Sequence, residues 1–258
     1  MKRSITARTT EKIMKAAAIL FWIAVWHVAS MVVGQKLLLA SPWDTLMALT
    51  GLLCSGAFYG AIAQSLGRIA LGFALGLLLA SLLALGASRW RGLRMLLEPL
   101  MRAVRAIPVA SFVIIVLIWV RSSRLSVVIS LLMVWPVLYE NILTGLMGRD
   151  AQLEEMAKVF RVPMSRRFRR IRLPLLAPHL RSGLKLSMGL CWKAGIAAEV
   201  IGQPQGSIGS ELYQAKVFFA TPELFAWTIC IVCVSAALEK LVLALYDRAM
   251  ERLTGLSR

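Results

Sequence analysis

Asp150-Ala-Gln-Leu-Glu-Glu-Met-Ala-Lys-Val-Phe-Arg-Val-Pro-Met-Ser-Arg-Arg-Phe-Arg-Arg-Ile-Arg-Leu-Pro174 is a long polar, basic interval in a chain otherwise made of apolar runs. Asp150 is a good helix N-cap, and Glu154 and Glu155 sit where the positive end of the helix dipole favours acids. Leu153, Met156, Ala157 and Phe160 follow at i, i+3, i+4 and i+7, one apolar stripe of a helix. Pro163 interrupts that helix, because an interior proline loses a hydrogen bond and clashes with the preceding turn. A second, arginine-rich turn over 165–172 leads through Leu173-Pro174 into the next apolar run. A short amphipathic helix between apolar runs must bury its stripe against the bilayer surface, against its own spans or against a soluble partner.

The surroundings of this interval fix the class. The chain has 258 residues, 59% of them hydrophobic, with a mean hydropathy of +0.72. It carries repeated apolar stretches of about 20 residues, the length that crosses roughly 30 Å of hydrocarbon. Spans are expected near 13–33, 58–86, 95–120, 125–147, 176–202 and 223–246, which makes an all-α polytopic membrane protein with six transmembrane helices. The apolar part of the N-terminal segment is longer than a cleavable signal allows, so it reads as a retained first span. Gly72, Gly76, Ala80 and Ala84 form a small-residue ladder on span 2, which lets helix backbones approach closely. Glu98-Pro99, Arg102, Arg105 and Ile107-Pro108 make the first half of span 3 polar and kinked. Residues 203–222 read as a polar loop with a short helix over 207–219. No loop is long enough for a separate fold, so 1–258 reads as a single transmembrane domain.

The net charge of +17 is read as topology rather than nucleic-acid binding. The N-terminal tail, the 87–94 loop, the 149–174 loop and the C-terminal tail are all basic, whereas the 34–57 and 203–222 loops are nearly neutral. The positive-inside rule then puts both termini and the 149–174 loop in the cytoplasm of a multi-pass cell-membrane protein. Cys54, Cys191, Cys230 and Cys233 read as ordinary thiols, and His27 and His179 are too distant from each other for a metal site.

No catalytic set is visible: no P-loop, no H-E-x-x-H and no nucleophile elbow. The chain is therefore not expected to be an enzyme or to hold a cofactor or metal, and energy for any transport must come from an ion gradient or a partner ATPase. Arg102 and Arg105, three apart, share a helix face and either line a path for an anion or snorkel to the membrane edge, with Glu98 neutralising Arg102. Lys193, near the middle of span 5, must face a cavity or a carboxylate on another span, since a lysine there costs about 2.5–3.5 kcal/mol on insertion scales. Glu199 lies about a third of a turn off the face of Lys193 and is not its partner.

Glu155-Met156-Ala157, then Arg161, then nine residues to Ile171-Arg172-Leu173-Pro174, resembles the loop E-A-A-x-x-x-G-(nine residues)-I-x-L-P of ABC importer permeases. Met156 stands for the first alanine and Arg161 for the glycine that turns the chain, and Val162-Pro163 is expected to set the turn instead. Ser41-Pro42, the run Ser65-Leu66-Gly67-Arg68 to Phe73, Leu97-Glu98-Pro99, Ala197-Ala198-Glu199-Val200-Ile201-Gly202 and Glu223-Leu224-Phe225-Ala226 are similar to the nitrate/sulfonate/taurine branch. Trp119-Val120-Arg121-Ser122-Ser123-Arg124 departs from the branch pattern, at a turn on the outer side.

The resemblance implies a type I importer fold in which the 150–174 stretch is a coupling helix. Leu153, Glu155, Met156, Ala157, Phe160 and Arg161 would dock onto a cytoplasmic ATPase, which binds the ATP and Mg. It also implies an extracytoplasmic substrate-binding protein, a second permease copy forming a homodimer, and a small anionic solute, with Arg102, Arg105 and Lys193 on its path. The competing classes are an ion-gradient-driven secondary transporter and a non-transporting scaffold, and within the importers, a carrier of a pyrimidine vitamin precursor. A secondary transporter usually shows inverted repeats, and no clear repeat is present.

Overall fold

The computed structural model describes residues 2–148 and 151–254, and every regular element among them is helical. Asp150, the expected N-cap, lies outside the described residues. The chain divides into two compact units, Met1–Tyr59 with Glu211–Cys230, and Gly60–Ser210 with Ile231–Arg258.

In the first unit, α1 spans Lys2–Val33 and α2 spans Pro42–Leu53. The start of α2 follows from Ser41-Pro42-Trp43-Asp44. The Ser41 hydroxyl oxygen accepts the Asp44 N–H at 3.1 Å, and Pro42 sits in the first turn, where its missing N–H costs nothing. Trp26 donates its indole N–H to the Ala40 carbonyl at 3.0 Å and stacks on Phe225, with ring centroids 5.5 Å apart. The Thr221 hydroxyl donates to the Leu37 carbonyl at 2.6 Å. These bonds satisfy groups that would otherwise be costly at the ends of membrane helices.

The second unit holds most of α3 (Gly56–Arg89), then α4 (Arg91–Ala106), α5 (Val109–Leu117), α6 (Ser122–Met147), α7 (Ala151–Val159), α8 (Met164–Arg167) and α9 (Leu173–Gly202). It also takes the first turn of α10 (Ile208–Val217) and the last part of α11 (Thr221–Thr254). The small-residue ladder on α3 meets α6. A Cβ on Gly72 would fall 2.4 Å from the Val127 carbonyl oxygen, and one on Gly76 would fall 2.9 Å from Val134. Only glycine admits that approach. Val113 and Val116 of α5, Leu125 and Ile129 of α6, and Ala194 and Ala198 of α9 form one buried cluster. Between membrane helices such burial gains dispersion contacts rather than escape from water. Arg181 of α9 forks onto Asp247 of α11 at 2.9 and 3.1 Å, and the Tyr246 hydroxyl donates to the Ala177 carbonyl at 2.8 Å. Arg169 donates to the carbonyls of Arg252 and Leu253, which fall in the last turn of α11, where a cation is favoured.

Two expectations are corrected. The third apolar run is broken rather than merely kinked: α4 and α5 meet at a bend of 100°, as in a broken span or a re-entrant loop. Pro108 has no N–H and drives Ile107 to an extended backbone (φ −76°, ψ 130°), so the helix ends and restarts rather than kinking. The arginine-rich turn over 165–172 is likewise not separate from the next span. It runs from α8 through a π-helical turn, Phe168–Arg172, straight into α9.

Four helices are long and apolar enough to cross a membrane, and the bent α4–α5 pair adds a fifth candidate. At 30 residues α9 is long enough, and it is set apart by composition, carrying Arg181, Lys185, Lys193 and Glu199. The multi-pass character of the chain rests on these helices.

Candidate functional site

The stripe anticipated on the 150–174 stretch forms on α7, but its members do not all face the same way. Ala157 is 2% exposed and belongs to the protein's own packing, whereas Leu153, Met156 and Phe160 are 38%, 51% and 74% exposed. Val159 adds to the outer apolar face, and Glu155 is exposed beside it. This helix presents more apolar surface than it buries.

The end of α7 explains how the chain turns without the usual glycine. Arg161 itself adopts the left-handed conformation, at φ +49°. The Val162 N–H then donates to the Ala157 carbonyl at 2.9 Å, the long capping bond of a Schellman motif. The expectation that Val162-Pro163 sets this turn is therefore corrected. Pro163 begins the next helix, as the N-cap of α8, and Arg161 takes the strained position.

Arg102 and Arg105 both project from α4, and each has a carboxylate. Arg102 pairs with Glu98 one turn back, and Arg105 pairs with Glu140 of α6. Lys193 is exposed on α9, on a face it shares with Leu186, Leu190 and Ala197. Other carboxylates near the spans face other cations: besides the pairs on α4, Glu199 faces Arg68, Glu239 faces Lys185 and Asp247 faces Arg181. The structure thus brings Arg102 and Arg105 together on one helix and does not bring Lys193 into a salt bridge among the described residues.

Glu199 is the polar residue that sequence reasoning undervalued. It is fully buried. The Ser65 hydroxyl of α3 donates to it at 2.5 Å, Ser126 of α6 and the Gly209 N–H of α10 each lie 3.4 Å away, and the Arg68 guanidinium of α3 is at 3.6 Å. Ser65 also accepts the Ile208 N–H at 2.9 Å, so the first turn of α10 is held through the same hydroxyl. One carboxylate therefore joins α3, α6, α9 and α10, and with Ser65 it satisfies two backbone donors at a helix start, Gly209 N–H directly and Ile208 N–H through the hydroxyl. The available signal was an acid inside the apolar run Ala197-Ala198-Glu199-Val200, since a buried charge must be paired. Its partners lie far away in sequence, and no local spacing names them.

Among the described residues, no group of three or more His, Cys, Asp and Glu side chains is placed to hold a metal. Chemically, the arrangement offers an exposed apolar helix face and fixed charges within a helical membrane frame.

Comparison with known proteins matches residues 72–254 to the family described as binding-protein-dependent transport system inner membrane component. The putative aliphatic sulfonates transport permease protein SsuC of Bacillus subtilis is 28% identical over 223 residues, covering 85% of this chain and 80% of that protein. The bicarbonate transport system permease protein CmpB of Synechococcus elongatus is 28% identical over 194 residues, covering 74% and 69%. The nitrate import permease protein NrtB of Leptolyngbya laminosa is 27% identical over 187 residues, covering 70% and 65%. With its apolar helices and a family match over most of its length, the chain belongs to the inner membrane components of binding-protein-dependent transport systems and is a permease subunit of an ABC importer.

Proposed function

We propose that this permease acts as a single transmembrane unit over 1–258, pairs with a second copy, and conducts a small anion delivered by an extracytoplasmic binding protein. Both termini and α7 face the cytoplasm, and α9 serves as the fifth of six spans. ATP and Mg are bound by a separate ATPase, onto which α7 docks through Leu153, Glu155, Met156 and Phe160. Ala157 supports that face from beneath, and Arg161 contributes by making the turn.

The observation that carries this reading is the outward apolar face of α7, which ends in a turn held at a residue cost. Lys193 supports the paired arrangement. It lies on a face of α9 that the single chain leaves exposed, and a lysine set against lipid at mid-span costs about 2.5–3.5 kcal/mol. A second copy enclosing an aqueous path removes that cost. The relatives carry sulfonate, bicarbonate and nitrate in their names, all of them anions, and Lys193 suits an anion. Arg102 and Arg105 stand at the mouth, where a passing anion competes with Glu98 and Glu140 for their guanidinium groups.

Co-expression with the cognate ATPase tests the docking face. Met156→Asp and Phe160→Asp are expected to abolish a detergent-stable complex while the permease itself still folds. Ala157→Asp is a poor probe, because Ala157 is buried within the chain. A complex that survives both exposed substitutions, or uptake into vesicles without ATP, would overturn the reading.

A further inference from the structure

α4 carries five charged residues in sixteen, Arg91, Arg94, Glu98, Arg102 and Arg105, a density that hydrocarbon does not admit. At about 100° per residue all five fall on one arc of the helix. Leu97, Met101 and Val104 make a second arc, which is buried. Leu96, Pro99, Leu100 and Ala103 make a third, opposite the charges, and all four are exposed. The buried arc lies between the other two, roughly at right angles to each. A helix has this layout when one flank rests on the protein, one face meets water and the opposite face meets an apolar medium.

The anchors of α4 fix its attitude. Arg94 donates to the Ala87 carbonyl, close to the end of α3, at 3.3 Å. Arg105 pairs with Glu140, two turns before the end of α6. The last turns of α3 and α6 line one cavity, so these two ends share a level. α6 has 26 residues, about 40 Å, against roughly 30 Å of hydrocarbon, so a level two turns inside its end is the boundary of the apolar layer. α4 therefore runs across the ends of the spans rather than alongside them. The 100° bend before α5 is where the chain turns out of that plane. Trp90, 68% exposed at the N-cap of α4, suits the headgroup level.

We propose that α4 is a membrane-surface helix whose partner is the lipid boundary itself. Leu96 and Leu100 enter the acyl layer, and the charged arc stands in water among the headgroups. Four arginines against one glutamate make that arc basic, which complements headgroup phosphates. Only α5 then continues this run of the chain into hydrocarbon. The inference needs only that the chain spans a membrane, so it stands or falls apart from ATPase docking at α7 and from the solute path.

The test places single nitroxide labels on the full chain with the exposed thiols removed, Cys54→Ser and Cys233→Ser, in vesicles of phosphatidylcholine and phosphatidylglycerol. Depth is read from collisions with oxygen, which concentrates among acyl chains, and with a water-soluble nickel chelate. Leu96→Cys and Ala103→Cys share a face two turns apart, so a helix along the membrane normal would separate their labels by about 10 Å in depth. A surface helix keeps that separation below half as much, with the labels at Leu96→Cys and Leu100→Cys about 5–10 Å deep. Labels at Arg91→Cys and Arg102→Cys are expected in water. Depths that climb steadily from Arg91 to Ala103 would overturn the proposal by making α4 part of a span. Few collisions with either reagent at Leu96→Cys and Leu100→Cys would also overturn it, because protein would then cover this face. Each position is read by itself, so a variant that does not fold removes one point and leaves the pattern.

Discussion

Glu199 and Lys193 lie six residues apart on one helix, and the protein treats the two charges in opposite ways. Glu199 is enclosed by Ser65, Ser126, Gly209 and Arg68 and has no contact with solvent. Lys193 sits on the opposite account, exposed and outside every carboxylate pair described. A charge inside a membrane helix is expensive wherever it stands. It persists either because the fold satisfies it or because something outside the chain does. The contrast separates a carboxylate that holds four helices together from an ammonium that the chain leaves exposed.

The largest effect is expected from breaking the first member of this pair. Glu199→Ala leaves the half-buried Arg68 cation without its carboxylate and three donors, the Ser65 and Ser126 hydroxyls and the Gly209 N–H, without their acceptor, a loss of about 3–5 kcal/mol. Thermal melting in detergent should show it plainly. Glu199→Gln keeps the size and one acceptor oxygen, so about 1–3 kcal/mol is expected. If Glu199→Ala melts like wild type, the nest is not what holds α10 to α3.

Lys193→Met should behave in the reverse way. Stability is expected to change by less than about 0.5 kcal/mol, as for surface sites that touch nothing. Uptake, and ATPase activity stimulated by the loaded binding protein, should fall about tenfold, equivalent to about 1.4 kcal/mol. A variant that loses stability but transports normally would move Lys193 into the class of Glu199 and take it off the path.

Sequence patterns reached some of these features and could not reach others, for physical reasons. The small-residue ladder of α3, the stripe of α7 and the short helix at 208–217 depend on local periodicity and capping, which a single chain displays. The 100° break at Ile107-Pro108 was visible as a proline, but its angle was not, since a proline can kink a helix or end it depending on what packs beside it. The partners of Glu199 lie on α3, α6 and α10, and that of Arg105 lies on α6, distances along the chain that no spacing rule crosses. The split of the α7 stripe into a buried Ala157 and an exposed Phe160 depends on what α7 rests upon. The site therefore showed its residue types and its local pair, Glu98 with Arg102, in advance and withheld the pairings between helices.

Arg161 asks the same question of a third charge, with a smaller effect. It holds φ +49°, where glycine pays no steric penalty and other residues pay about 1 kcal/mol. Arg161→Gly should therefore stabilise the permease by roughly that amount, read as a rise in melting temperature. Arg161→Ala should not, since alanine keeps the strain. If the role of Arg161 is the turn alone, assembly with the ATPase survives Arg161→Gly. A stabilised variant that fails to assemble would place the guanidinium itself on the docking face.

Asp44 gives the mildest case, a structural charge at the edge of water. Its carboxylate accepts from Lys36 at 3.0 Å and from the Ser41 hydroxyl at 2.8 Å, and these bonds, Lys36 first, hold its pKa below the ordinary 3.8. A depressed carboxyl contributes stability above its unfolded pKa and loses it as pH falls through the folded one. The melting temperature of the wild type should therefore decline as pH drops below about 4, where unfolded aspartate begins to bind protons that the folded group still refuses. Asp44→Asn cannot titrate, so its acid limb should be shallower while its melting temperature near neutrality is only slightly lower. The Asp44 pair is exposed to water and screened by salt, so raising the ionic strength should narrow the gap between wild type and Asp44→Asn. The same salt series should leave the gap between wild type and Glu199→Ala almost untouched, because solvent ions cannot reach a fully buried carboxylate.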